Sequence, residues 1–187
     1  MTAADKLTVS RIILTPIIIG MMVLWNKDEG LWVAFILYLV ASITDFLDGY
    51  IARKNNQQSE FGKLWDPLAD KLLVCSVFII FVAWGQIPAW GAVLIICREF
   101  LVTGLRSEAA RKQRVIAADA FGKIKTISQI LFQSLVFFKS AIIGNLHEPK
   151  ETPFDMAIGA GFWIVMLLTS GSAIQFAIKN RQFLYNK

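Results

Sequence analysis

Six apolar runs, each close to the length of a bilayer crossing, recur along this chain and leave it few ways to fold. A helical span needs about 20 mostly apolar residues, and the runs lie near 9–25, 31–53, 67–84, 88–105, 124–143 and 154–178. Backbone N–H and C=O groups in hydrocarbon must find partners within the chain, which a helix provides. Over 187 residues the hydrophobic content of 56% and mean hydropathy of +0.55 exceed those of an ordinary soluble domain. The expectation is an all-α integral membrane protein, a six-transmembrane-helix bundle forming one domain over 1–187. Neither a low-complexity tract nor an internal repeat interrupts it. The first run is followed by no small-residue cleavage site and reads as a retained helix.

Charge sets the expected orientation. Lys6, Arg11, Arg53, Lys54, Lys63, Arg106, Arg111, Lys112, Arg114, Lys123, Lys125, Lys179, Arg181 and Lys187 fall on one side of a six-helix arrangement, with Lys27, Lys139 and Lys150 near the other. Positive residues accumulate in the cytoplasm, so both termini face inward. The net charge of +5 then reflects anchoring to anionic headgroups more than nucleic-acid binding, and no platform of base-stacking aromatics is evident. Trp25, Trp32, Trp84 and Trp90 bracket the outer ends as an interfacial belt would.

Four aspartates stand where charge is costly. Asp45 and Asp48 close the second run, and Asp66 and Asp70 open the third. Spacings of i, i+3 and i, i+4 put each pair on one helix face, and the polar stretch 54–60 suits a turn between antiparallel helices. Four carboxylates gathered there would repel one another unless cations joined them. Oxygen-only ligands favour Mg²⁺ or Mn²⁺ over zinc, and paired ions suit phosphoryl chemistry. Solvated helix-end carboxylates are the bland reading, which fits one pair better than two pairs in a membrane. The group sits at the cytoplasmic end, whereas a cation or proton transporter would place its carboxylates near the midplane.

Cations are expected to complete the site. Arg98 and Glu99 interrupt an apolar stretch, and because adjacent helix positions diverge, Arg98 is expected to face an anionic ligand or an aspartate instead of Glu99. The segment Gly122-Lys123-Ile-Lys125-Thr126 opens the fifth run, where helix N-terminal amides beside lysines favour an anion. Cys75 and Cys97 read as small core residues, and His147, near Glu148 and Glu151, as solvated. Metals beside a basic pocket suit phosphatidyl transfer from a lipid diphosphate to a soluble phosphorylated acceptor. An aspartate would take the acceptor's proton. Gly49 and Gly62 would admit substrate close to the backbone or serve helix packing.

The pattern Asp45-x-x-Asp48-Gly49-x-x-Ala52-Arg53, eight residues, then Gly62-x-x-x-Asp66-x-x-x-Asp70 resembles the signature of the CDP-alcohol phosphatidyltransferases at all eight specified positions. Leu7-Thr8-x-x-Arg11 with Pro16, Asp66-Pro-Leu-Ala-Asp70-Lys71, Arg98 to Arg106, and Gly122 to Thr126 are similar to the branch whose acceptor is glycerol 3-phosphate. Asp5 departs from it, since relatives often carry Asn there. The resemblance implies a six-helix homodimer in a bacterial inner (cytoplasmic) membrane, serving phospholipid biosynthesis. It implies two divalent cations, Mg²⁺ or Mn²⁺, on Asp45, Asp48, Asp66 and Asp70, with Asp70 also the general base. It assigns CDP-diacylglycerol to Thr8, Gly49, Ala52, Arg53 and Gly62. The acceptor hydroxyl would attack the β-phosphorus and release CMP. Residue reading and resemblance together assign the acceptor's phosphate to Arg98, Arg106, Lys123, Lys125 and Thr126. Serine or inositol phosphate are the alternative acceptors, although free serine would not call for so many cations.

Overall fold

Each of the six apolar runs folds as a helix. The computed structural model describes residues 3–25, 28–55, 60–112, 120–143 and 153–181, without the side chains of 3–6, 28, 45–55, 60–64, 66, 67, 70, 110, 120, 143 and 153. Among the described residues there are six helices and no strands: α1 (Ala3–Leu24), α2 (Asp28–Asn55), α3 (Glu60–Ala83), α4 (Ala89–Arg111), α5 (Ala120–Ile143) and α6 (Pro153–Lys179). The all-α expectation holds, but α3 starts seven residues before the apolar run and α4 ends six after it. Those added turns mix charged residues with apolar ones such as Phe61, Leu64 and Trp65, so hydropathy alone stops short of them. Glu108 braces the end of α4, with its Oε2 3.2 Å from Arg111 Nε and its Oε1 3.9 Å from Lys112 Nζ. Pro67 therefore falls inside α3, as Pro16 does inside α1. Each proline forfeits one backbone hydrogen bond.

The chain divides into two compact units, Met1–Gln86 with Gln133–Lys150, and Ile87–Phe132 with Glu151–Lys187. In the first unit α1 packs against α2 and α3. Ring contacts pair Trp32 with Phe138 (5.9 Å), Phe35 with Phe137 (5.7 Å) and Tyr38 with Phe137 (5.2 Å). Partners on α5 step backwards as α2 advances, so these helices are antiparallel. Along α3 the order is reversed. Gln133 Nε2 donates to the Val74 carbonyl (2.8 Å), Phe137 meets Phe81 (5.6 Å), and Lys139 Nζ donates to Gln86 Oε1 (3.0 Å). Hence α3 runs with α5 and against α2, and the C-terminal end of α2 lies at the same end of this unit as the N-terminal end of α3.

Helix α3 stops in a left-handed cap. Gly85 has φ 68°, a conformation that glycine adopts without a Cβ penalty. The Gln86 N–H reaches the Phe81 carbonyl (2.9 Å) and the Gly85 N–H the Val82 carbonyl (3.0 Å), so two orphan carbonyls are satisfied before Pro88.

In the second unit α4 packs on α6. Trp90 meets Phe162 (5.7 Å) and Trp163 (6.0 Å), Arg98 meets Ser172, and Arg106 meets Phe176. Both helices advance together and are parallel. Helix α5 opposes α6, with Phe132 against Phe162 (6.5 Å) and Phe121 beside Gly171. Gly91 lies against the Phe162 ring, where any Cβ would overlap it, and so lets α4 and α6 approach closely.

Leu7–Leu24 and Phe154–Lys179 are, among the described residues, the helical segments long and apolar enough to cross a membrane. Leu101, Leu131, Leu167 and Ile178 stand exposed, as lipid-facing side chains would. These features mark a membrane protein. Two spans meet this test instead of six. Elsewhere ionisable residues such as Arg98, Glu99, Lys123 and Lys125 interrupt the runs. The expected tryptophans do fall at helix ends, with Trp25, Trp32 and Trp90 exposed, but Trp84 is buried against Phe81 (5.9 Å).

Candidate active site

Helix α2 continues unbroken through Asp45, Asp48 and Arg53, and α3 through Gly62, Asp66 and Asp70. Helical periodicity places positions 45 and 48 on one face, and 66 and 70 on another. Since α2 and α3 are antiparallel, all four positions share one end of the first unit. The side chains of Asp45, Asp48, Gly49, Ala52, Arg53, Gly62, Asp66 and Asp70 lie outside the described residues, as do His147, Glu148 and Glu151. As a donor set, four carboxylates offer the hard oxygens that Mg²⁺ and Mn²⁺ take, so these residue types fit such ions. Among the described residues no group of three or more His, Cys, Asp or Glu could hold a metal. Cys75 is buried and Cys97 exposed, neither in a disulfide.

A neutral bridge lies inward of the aspartate positions. Tyr38 Oη donates to Gln133 Oε1 (2.6 Å), whose Nε2 donates to the Val74 carbonyl (2.8 Å). Tyr38 precedes Asp45 by seven residues and Val74 follows Asp70 by four, or about 10 and 6 Å along the helix axes. Both Tyr38 and Gln133 are fully buried. The bridge thus ties α2 and α3 to α5 just behind the positions that carry the carboxylates. Thr8, expected at the nucleotide, is buried in α1, and Arg11 is buried one turn later.

The second unit gathers charges at its centre. Lys125 Nζ pairs with Glu99 Oε1, both side chains buried. Gln129 Nε2 donates to the same oxygen (3.3 Å), and Arg98 Nη1 lies 3.5 Å from it. Arg98 also donates through Nη2 to Ser172 Oγ on α6. The Arg106 guanidinium stands over the Phe176 ring, 5.7 Å from its centroid. Thr126 Oγ1 donates to the Gly122 carbonyl in its own helix (3.1 Å), and Lys123 is exposed.

The expectation that Arg98 and Glu99 stay apart does not hold. Their positions do diverge, by about 100° on an ideal helix, but the long arginine side chain bends back to the edge of hydrogen-bond reach. Of the residues expected at the acceptor, the structure brings Arg98 and Lys125 together through Glu99. Sequence reasoning singled out Glu99 but missed its partners, and it missed Gln129 and Gln133. Their signal was present: Lys125, Gln129 and Gln133 recur every fourth residue, a polar stripe along an apolar helix, and all three are buried.

Comparison with known proteins agrees with the signature. A family model described as CDP-alcohol phosphatidyltransferase matches residues 1–171. A CDP-diacylglycerol--glycerol-3-phosphate 3-phosphatidyltransferase of Bacillus subtilis is 41% identical over 193 residues, 96% of this chain and 95% of that protein. The protein of that name from Rickettsia typhi is 36% identical over 165 residues, 88% of this chain and 89% of its own length. Its counterpart in Mycoplasma pneumoniae is 44% identical over 162 residues, covering 84% of this chain and 69% of itself. With the family model spanning nearly all of its helices and the eight signature positions at the shared end of α2 and α3, this chain belongs to the CDP-alcohol phosphatidyltransferase family.

Proposed function

We propose that this protein transfers the phosphatidyl group of CDP-diacylglycerol to glycerol 3-phosphate, giving phosphatidylglycerophosphate and CMP. The observation that carries the reading is near full-length agreement with relatives named for that reaction, at 41% identity over 96% of the chain for the Bacillus protein. The six helices act as one domain crossing the bacterial inner membrane six times, as a homodimer. Both termini and the aspartate end face the cytoplasm, a placement supported by the one-sided Lys and Arg distribution.

Asp45, Asp48, Asp66 and Asp70 hold two divalent cations, Mg²⁺ or Mn²⁺, which when bound neutralise the diphosphate and the departing CMP. Thr8, Gly49, Ala52, Arg53 and Gly62 receive CDP-diacylglycerol, Arg53 adding positive charge for the diphosphate. Arg98, Arg106 and Lys123 supply charge for the acceptor's phosphate, with Lys125 and Thr126 beside them on α5. Asp70 takes the proton from the acceptor hydroxyl as its oxygen bonds to the β-phosphorus. The bond from that phosphorus to the CMP oxygen breaks, and CMP leaves with the electron pair.

The test incubates purified protein with CDP-diacylglycerol and Mg²⁺, adding glycerol 3-phosphate, serine, inositol phosphate or phosphatidylglycerol separately, and follows CMP and the lipid product. Phosphatidylglycerophosphate should form with glycerol 3-phosphate alone. CMP release with a different acceptor instead would overturn the substrate. EDTA should stop turnover and Mg²⁺ or Mn²⁺ restore it; full activity after exhaustive chelation would refute the metal assignment.

A further inference from the structure

Glu99 is a buried carboxylate that the reaction above does not use. Burying it with Lys125 costs several kcal/mol per ion unless geometry and hydrogen bonding offset the loss, and apolar residues often hold helices as well. Helix packing alone therefore leaves the charges unexplained. The contacts of Arg98 supply a reason. Its Nη1 lies 3.5 Å from Glu99 Oε1, and its Nη2 donates to Ser172 Oγ. Holding a planar guanidinium by two of its nitrogens fixes its direction, which a single contact would not. Lys125 has a separate part: its charge cancels that of Glu99, so the carboxylate neither repels an incoming anion nor consumes the charge of Arg98. Gln129 Nε2, 3.3 Å from the same oxygen, steadies the carboxylate.

We propose that Glu99 is a positioning residue for acceptor binding: neutralised by Lys125, it works with Ser172 to aim the Arg98 guanidinium at the phosphate of glycerol 3-phosphate. The proposal rests on the acceptor-site reading above and adds to it a carboxylate that touches no substrate.

Removing Glu99 alone would strand the Lys125 charge, so the test changes both. In Glu99→Gln with Lys125→Met the pair becomes neutral at similar volume. This variant should keep its helical circular dichroism, leave KM for CDP-diacylglycerol unmoved and raise KM for glycerol 3-phosphate about tenfold, as expected when a charge-assisted contact is loosened. In an Arg98→Ala background the same pair of changes should add nothing. A folded paired variant with wild-type KM for glycerol 3-phosphate overturns the proposal, as does an equal further rise on top of Arg98→Ala. Should the paired variant not fold, Glu99→Asp keeps the charge and shortens the reach. A raised acceptor KM then supports positioning, and an unchanged one overturns it. If Arg98→Ala itself leaves the acceptor KM unchanged, the acceptor-site reading falls along with Glu99. If Arg98→Ala raises it while the Glu99 variants do not, only the role of Glu99 falls.

Discussion

The two units bury polarity in opposite ways. At the centre of the first, Tyr38, Gln133 and the Val74 carbonyl form a neutral bridge, and the four aspartate positions are kept to one end. At the centre of the second, Arg98, Glu99 and Lys125 put three formal charges among apolar helices. On the proposed function, the difference follows from what each set of charges would meet. Carboxylates that hold mobile cations need a wet helix end and a frame that does not compete for those cations, and a neutral bridge provides one. A largely buried arginine kept for an anion would need its surroundings balanced from within, and the Glu99–Lys125 pair balances itself. Arg11, more than two turns into α1, and Lys139 on α5 are both buried, so the first unit also buries charge.

The largest expected effect tests whether chemistry belongs to the first unit and acceptor binding to the second. Asp70→Asn removes the proposed base, which is also a proposed metal ligand, while keeping the shape. It should lower kcat by about 10²- to 10⁴-fold, the usual weight of a positioned base, and leave the helical circular dichroism intact. Arg98→Ala should act mainly on KM for glycerol 3-phosphate. A folded Asp70→Asn enzyme with near-normal turnover, or an Arg98→Ala enzyme that loses kcat alone, would break the division.

Stability gives the next contrast. Lys125→Met leaves the Glu99 charge buried and should destabilise the protein by about 3 kcal/mol, the low end for a broken buried pair because Arg98 and Gln129 remain. Tyr38→Phe combined with Gln133→Leu removes both side-chain partners of the first unit's bridge. The Val74 carbonyl can keep its place in the helix ladder, so this replacement should cost under about 1 kcal/mol. Thermal unfolding in one detergent measures both. Equal losses would mean that the neutral bridge is as demanding as the ionic one.

How much of this was legible beforehand follows the same division. Helix number and approximate bounds could be read because apolar runs of span length have a single backbone solution. The aspartates stood out because charge in such runs is rare and their spacing is helical, and the role expected of them falls on side chains outside the described residues. The end they share rested on a polar turn at 54–60, and the order of contacts along α2, α3 and α5 bears out the antiparallel pairing. The partners of Arg98 were misjudged, since a rule about adjacent helix positions treats side chains as short. The pairing of Glu99 was missed because its partners, Lys125 and Gln129, sit 26 and 30 residues away, and nothing local to α4 points to them. The extra turns of α3 and α4 escaped a reading based on apolarity because they mix charged residues with apolar ones, from Glu60 to Asp66 and from Arg106 to Arg111.

The smallest expected effect concerns the second arginine. Arg98 is aimed by a carboxylate whose charge must be cancelled by a lysine, whereas Arg106 stands over the Phe176 ring. An aromatic face attracts a cation without carrying a charge of its own, so no lysine is needed to offset it. Phe176→Leu preserves the apolar bulk and removes the face. Cation–π contacts contribute about 0.5 to 1 kcal/mol where water has access, so KM for glycerol 3-phosphate should rise about two- to fivefold, less than in Arg106→Ala. Phe176→Trp, with the stronger face, should hold KM at or below the wild-type value. If the leucine variant matches wild type while Arg106→Ala does not, the ring only fills space, and the two arginines are held by different principles than their contacts imply. If leucine raises KM and tryptophan does not, the Phe176 face helps to direct Arg106 at an anion, as the Glu99 carboxylate does for Arg98.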